Sequence, residues 1–312
     1  MTDIKVKHRI IALASYAFVA LILTVRSALP FTFVFFGFMG LVVFFAEKFI
    51  NSEKIKERTL FAFFVFAACY QTFYQLFNRA HDNGKQIMIA VGLAVFLISV
   101  FAATDIKKLP LSIVSAPLLC FLDARIAAAY CLLLISFSVI KFRLHISGNK
   151  FAKKRNKKKQ GNKTTDKAKE QKSFDPVTVI LFSILISAIC LIFCVVYVFI
   201  NNVHTIEKTD YLVTQFKNTF GFIVFIGYLL IKLLKSKLRI KVGIIVSLIL
   251  NIVATVLFTI NYGWAFFSLF LITAIMLLGL VCLESEDIVN DIKKDFTEHK
   301  YVFLVMLLCL LQ

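Results

Sequence analysis

Residues 176–200 read PVTVILFSILISAICLIFCVVYVFI, twenty-five positions without one charged side chain. A run of that length and character matches one helical crossing of a bilayer's hydrocarbon core. Backbone polar groups in lipid must be satisfied within the segment, so the run predicts a helix. Strands of a membrane barrel would alternate polar and apolar residues. Runs such as Phe61 to Phe66 do not alternate.

Similar blocks recur along the chain at 10–25, 29–46, 59–77, 86–103, 109–122, 124–140, 218–234, 242–260, 264–283 and 301–311. The predicted fold is therefore an all-α integral membrane protein, a polytopic helical bundle of about 10–11 transmembrane segments. Composition agrees: hydrophobic residues make up 60% of the 312 positions and charged residues 17%. Mean hydropathy is +0.84. A soluble domain carries about 45–50% apolar and about 25% charged residues. The N-terminal run 10–25 follows Lys5, Lys7 and Arg9 but lacks a clean small-x-small cleavage pattern, which predicts an uncleaved first span.

Charge sets the expected threading. With the N-terminus in the cytoplasm and the spans alternating, 30 of the 36 Lys and Arg fall inside. Six fall outside: Arg26, Arg79, Lys85, Arg125, Lys208 and Lys217. A five-to-one bias is what the positive-inside rule requires when spans and register are right.

The largest share of the +18 net charge sits in one place. Thirteen basic residues between Lys141 and Lys172 face only Asp166 and Glu170. The segment 141–175 is rich in Lys, Asn, Gln and Gly, and is expected to be a disordered cytoplasmic linker. Lys153, Lys154, Arg155, Lys157, Lys158 and Lys159 are its candidate contacts with anionic lipid headgroups. The tract is almost without aromatic residues for base stacking, so nucleic acid is not the expected partner. A cytoplasmic protein is a further candidate partner.

The linker separates a first membrane block, 1–140, of about six helices from a second, 176–312, of about five. The last block, 301–311, is half a membrane thick, which predicts a chain cut short near residue 312. Six helices, a cytoplasmic linker and a second set resemble the plan of major facilitator transporters in topology only. Their glycine-and-arginine signature is absent, since Glu47 to Glu53 reads EKFINSE, and the halves show no internal repeat.

Two local features complete the layout. Block 109–122 has fourteen residues and contains Pro110 and Pro117; with 124–140 it predicts a short hairpin, spanning or re-entrant. In 284–300, Ile288, Ile292 and Phe296 recur every four residues among Glu286, Asp287, Asp291 and Asp295. That predicts an amphipathic helix on the cytoplasmic surface, either clasping the basic linker or simply solvated.

Polar groups inside spans are where function is expected in such a protein. Gln71, Gln75 and Asn78 fall on one helical stripe, Tyr70 and Tyr74 on an adjacent one, and both lead to Arg79. This set is the first candidate substrate-binding face, opening outward; interhelical hydrogen bonding and an aromatic belt are its packing alternative. Asp123 and Arg125 at the hairpin tip are the second candidate, with a polar turn as the alternative. Residues two apart on a helix do not face each other, so their pairing would require the turn. His204, Glu207, Lys208 and Asp210 are residue types of acid–base or metal chemistry, but no H-E-x-x-H spacing occurs.

The seven cysteines all lie in apolar segments, without C-x-x-C, and read as small hydrophobes rather than metal ligands. Asn251 and Asn261 read as isolated packing residues. No P-loop, Rossmann or G-x-S-x-G motif is present, so neither a nucleotide nor another cofactor is expected. The resulting expectation is a bacterial multi-pass plasma-membrane protein that transports or flips a solute or lipid-linked substrate. The alternatives are a non-catalytic membrane subunit docking a cytoplasmic partner, or a membrane enzyme of cell-envelope glycan or lipid assembly.

Overall fold

The computed structural model describes residues 83–157, 175–200, 210–236, 241–262, 264–283, 286–302 and 305. Among the described residues every regular element is a helix: α1 (Asn83–Thr104), α2 (Leu109–Leu122), α3 (Ala124–Lys157), α4 (Pro176–Ile200), α5 (Asp210–Lys235), α6 (Lys241–Tyr262), α7 (Trp264–Leu283) and α8 (Glu286–Glu298). Two of them contain stretches long and apolar enough to cross a membrane, Ala124–His145 and Pro176–Tyr197.

Helix α3 is the hub, packed against α1, α2, α4, α6 and α7. From Ile126 to Leu134 no side chain is more than 3% exposed. Ala127, Ala128 and Ala129 lie in this stretch, and small residues let neighbouring backbones approach closely. Of the Ala124–His145 stretch, 78% is buried against the rest of the protein, whereas only 28% of Pro176–Tyr197 is.

The buried positions of helix α4 are, apart from Ile180, small or polar. Ile180, Ser183, Ser187, Cys190 and Cys194 are buried, while Leu181, Phe182, Leu185, Ile189, Ile192, Phe193, Val196 and Tyr197 are exposed. A water-soluble helix would do the reverse, turning its large apolar side chains inward. Outward bulk and inward small or polar groups are how helices pack when the surrounding solvent is itself apolar.

Inter-helix contacts fix the directions. Ser138 of α3 meets Ser183 of α4 at 3.0 Å, oxygen to oxygen, while Cys131 lies against Cys190. Residue numbers therefore rise along α3 as they fall along α4, and the two helices are antiparallel. At the other side, the Ser112 hydroxyl donates to the Ser99 carbonyl and the Tyr130 hydroxyl to the Ser112 carbonyl, both at 2.8 Å. These bonds stitch α1, α2 and α3, and the Tyr130 ring meets Phe96 edge-on at 5.6 Å.

Two boundaries differ from the hydropathy reading. Helix α3 does not stop at 140 but continues through Lys157, so the first part of the basic linker is helical. Lys, Arg and Ala, which make up most of 150–157, are good helix formers, and extending an existing helix avoids the cost of nucleating one. Helix α5 begins at Asp210, eight residues before the apolar block, because DYLVTQFK is too polar to register as a span yet contains no helix breaker.

Candidate functional site

The corner between α2 and α3 is one residue wide. Pro110 sits in the first turn of α2, where a missing N–H costs nothing, and Pro117 lies inside the helix. Asp123 then closes α2 and opens α3. Its backbone is extended (φ −157°, ψ 117°), and its N–H donates to the Leu119 carbonyl at 3.0 Å. Its carbonyl accepts the Ala127 N–H at 2.9 Å. Its carboxylate Oδ1 accepts the N–H groups of Arg125 and Ile126 at 2.9 and 3.2 Å, a side-chain N-cap.

The same carboxylate pairs with the Arg125 guanidinium. Arg125 Nη2 donates to Oδ2 at 2.6 Å, and Nε reaches both oxygens at 3.1 and 3.2 Å. The extended backbone at Asp123 is what brings residues two apart face to face. The Asp123 side chain is 10% exposed and that of Arg125 26%. Asp123 is therefore engaged on both oxygens and poorly placed as a general base. Arg125 presents five N–H donors on a planar fork, and only part of the fork is turned to Asp123.

Of the other candidates, Tyr70, Gln71, Tyr74, Gln75, Asn78 and Arg79 lie outside the described residues. So do His204, Glu207, Lys208, Lys158 and Lys159. Lys153, Lys154, Arg155 and Lys157 fall on the last turns of α3, in line with the apolar stretch that carries them.

Three polar sites have partners that the sequence reading did not assign. Asn251 of α6 is the centre of a buried network rather than isolated. Its Nδ2 donates to Ser136 Oγ of α3 at 3.2 Å and to the Ser247 carbonyl at 3.0 Å. Its Oδ1 accepts the Thr273 hydroxyl of α7 at 3.3 Å, and Ser247 Oγ donates to the Ser136 carbonyl at 3.3 Å. All four side chains belong to residues no more than 2% exposed. The signal was an amide inside an apolar run, which in a helical bundle points to a neighbouring helix.

Lys141, counted as the first linker charge, is buried. Its Nζ donates to the Ala103 carbonyl at 2.8 Å and lies 5.0 Å over the Phe137 ring. Ala103 is in the last turn of α1, whose carbonyls lack helical partners and carry negative partial charge. A cavity between Val100, Ala103, Tyr130, Leu133, Leu134, Phe137 and Leu280 adjoins this cap. At ≈ 10 Å³ it has room for about one water and none for a solute.

The third site anchors α8. Ile288 is buried in the core and Ile292 packs beside it. On the same helix, Asp291 and Asp295 reach Lys232 near the end of α5 at 2.7 and 2.5 Å. The Tyr228 hydroxyl donates to Asp295 Oδ2 at 3.0 Å. The Lys232 ammonium, with help from Tyr228, holds the Asp295 carboxyl below the usual carboxylate range. Within the described residues, then, the acidic face meets Lys232.

Comparison with protein-family models, with curated proteins and with solved structures finds no match to this chain. Function has to be read from the chain's own residues.

Proposed function

We propose that this chain is a multi-pass protein of the bacterial plasma membrane that moves a solute or lipid-linked substrate, with its polar contacts on the outward side. The observation that carries the membrane reading is α4, whose eight large apolar side chains from Leu181 to Tyr197 face away from the protein. Soluble monomers rarely expose apolar patches larger than a few hundred Å². The Arg125 fork lies at the end of the bundle opposite Lys107, Lys108 and Lys141. By the basic-residue count that end is the outward one. The Gln71, Gln75, Asn78 and Arg79 stripe is assigned to the same side, with Tyr70 and Tyr74 beside it. Arg125 and Arg79 together would suit a substrate carrying a phosphate or carboxylate.

The test is mass spectrometry of lipids and solutes retained after gentle extraction. Wild type is compared with a Gln71→Ala, Gln75→Ala, Arg79→Ala, Arg125→Ala variant that still inserts. Selective loss of one anionic species from the variant is the expected result. An identical retained set, with substrate flux unchanged, would overturn the transport reading.

A second reading is favoured by the bundle's tight interior. Ser136 of α3, Ser247 and Asn251 of α6 and Thr273 of α7 bond to one another, and the cavity beside Lys141 admits no solute. A non-catalytic membrane subunit, docking a cytoplasmic partner through its basic segment, fits that economy. Deleting residues 158–172 should then release the partner while the protein stays in the membrane. An envelope enzyme acting through Asp123 is disfavoured, because that carboxylate is already committed to the helix cap and Arg125.

A further inference from the structure

Three helices gather thiols that the sequence scatters over 75 positions. Cys120, two residues from the end of α2, has its sulfur 3.6 Å from that of Cys194 on α4, and 3.9 Å from the Cys190 carbonyl oxygen. Cys131 of α3 lies against Cys190. All are free thiols. Among the described residues no group of three or more His, Cys, Asp or Glu side chains is arranged to hold a metal ion. What remains is chemistry that needs two sulfurs in contact.

The Cys120–Cys194 pair has that contact and a useful asymmetry. A disulfide bond is about 2.05 Å long, so the two sulfurs must close by roughly 1.5 Å to bond. Cys194 is fully buried, whereas Cys120 is partly exposed and adjoins Phe121, 79% exposed on the outer face of α2. An apolar oxidant arriving at that surface meets Cys120 first and finds Cys194 behind it. Oxidation-sensitive cysteines in water combine thiolate character with access and often a neighbouring resolving thiol; here Cys120 has the access and Cys194 is the second thiol.

We propose that Cys120 and Cys194 form an oxidisable dithiol that a membrane-permeant hydroperoxide converts to a disulfide. The Cys120 sulfur attacks the peroxide O–O bond, giving a sulfenic acid, and its proton leaves with the departing oxygen as an alcohol. The Cys194 sulfur then attacks the Cys120 sulfur, the S–S bond forms, and the sulfenic hydroxyl leaves with the Cys194 proton as water. Two thiols supply the two electrons that reduce one peroxide. The product joins α2 to α4, and so joins covalently the two membrane blocks that flank the basic segment.

That last consequence makes the step measurable. Full-length protein in lipid vesicles is treated with tert-butyl hydroperoxide, its remaining thiols are blocked, and the basic segment is cut with trypsin. Without reductant the two halves should run as one band, and dithiothreitol should separate them. Peptide mass spectrometry should place the link at Cys120 and Cys194. C120S and C194S should each abolish the joined band, while C282S, altered away from the pair on α7, should keep it. Halves that separate without reductant in the wild type would overturn the proposal. So would a joined band that survives C120S or C194S.

Discussion

At the scale of single residues, the Asn251 carboxamide does what no apolar side chain of its size can do. It ties α6 to both α3 and α7 through Ser136 and Thr273. Replacing it by Leu keeps the volume and removes both ties. The cost is moderated because a stranded Ser or Thr hydroxyl on a helix can turn to the carbonyl one turn back. Interhelical hydrogen bonds in membrane proteins average about 0.6 kcal/mol and reach about 1.7, so Asn251→Leu should cost about 1 kcal/mol. Asn251→Asp should be far worse, because it places a charge where residues 136, 247 and 273 offer no cation. Reversible unfolding in mixed micelles would measure both. A Leu variant as stable as wild type would show that the network confers no stability, and equal effects of Leu and Asp would argue against a dry site.

At the scale of elements, α8 shows how a short amphipathic helix is held to a bundle. Ile288 and Ile292 supply the apolar contact, and Lys232 supplies the charge that Asp291 and Asp295 answer. Asp295 has a lowered folded-state value, caused first by its bond to Lys232 and then by Tyr228 and nearby charges. A carboxyl depressed on docking stabilises the docked state above its free value, about 3.9. That contribution is lost as pH falls through the lowered value. Amide exchange along Glu286–Glu298, corrected for intrinsic rates, should therefore show equal protection at pH 7 and pH 5. Protection should decline below about pH 4, and Lys232→Met should remove the pH dependence. Loss of protection already between pH 7 and pH 5 would show that a group other than the Asp295 carboxylate governs docking.

The elements also show which features hydropathy can see. Helices at 109–122, 176–200 and 264–283 begin and end where the apolar blocks do. Their ends are marked by Lys108 and Asp123, by Asp175, and by Gly263 and Glu284. Helix α3 overruns its block because a basic sequence can be as helical as an apolar one, and hydropathy reports transfer energy rather than backbone geometry. The contact partners were the less legible part. In α4 or α7, apolar on nearly every face, periodicity says little about which side meets which neighbour. The burial of Lys141 on Ala103, the role of Asn251 and the meeting of Cys120 with Cys194 all depend on that rotation. The Asp123–Arg125 pair was legible as a candidate because it is local: a charged pair in a corner between two apolar blocks.

At the scale of the whole molecule, several of the described charges gather at one end. The Lys141 cap on Ala103 places Lys107, Lys108 and the start of the basic segment together. Leu280 of α7 shares the cavity beside that cap with Val100, Ala103 and Phe137, so the end of α7 and the helix α8 that follows it lie at the same end. Asp123 and Arg125 lie at the other, one helix length away. Helix α2 is fourteen residues long, or about 21 Å at 1.5 Å per residue, against a hydrocarbon core of about 30 Å. On the proposed threading, either the bilayer thins around the corner, or the corner stops short of the outer surface. A single reporter thiol decides between them in a background where the native cysteines are replaced by serine. Gln160→Cys should react with a membrane-impermeant maleimide only after cells are opened. Ala124→Cys should react in intact cells if the α2–α3 hairpin spans. Reaction of Gln160→Cys from outside would invert the whole threading. Silence of Ala124→Cys on both sides would make the hairpin re-entrant. Arg125 would then lie below the headgroups, where an unneutralised guanidinium is costly and the Asp123 pairing becomes the condition for burying it.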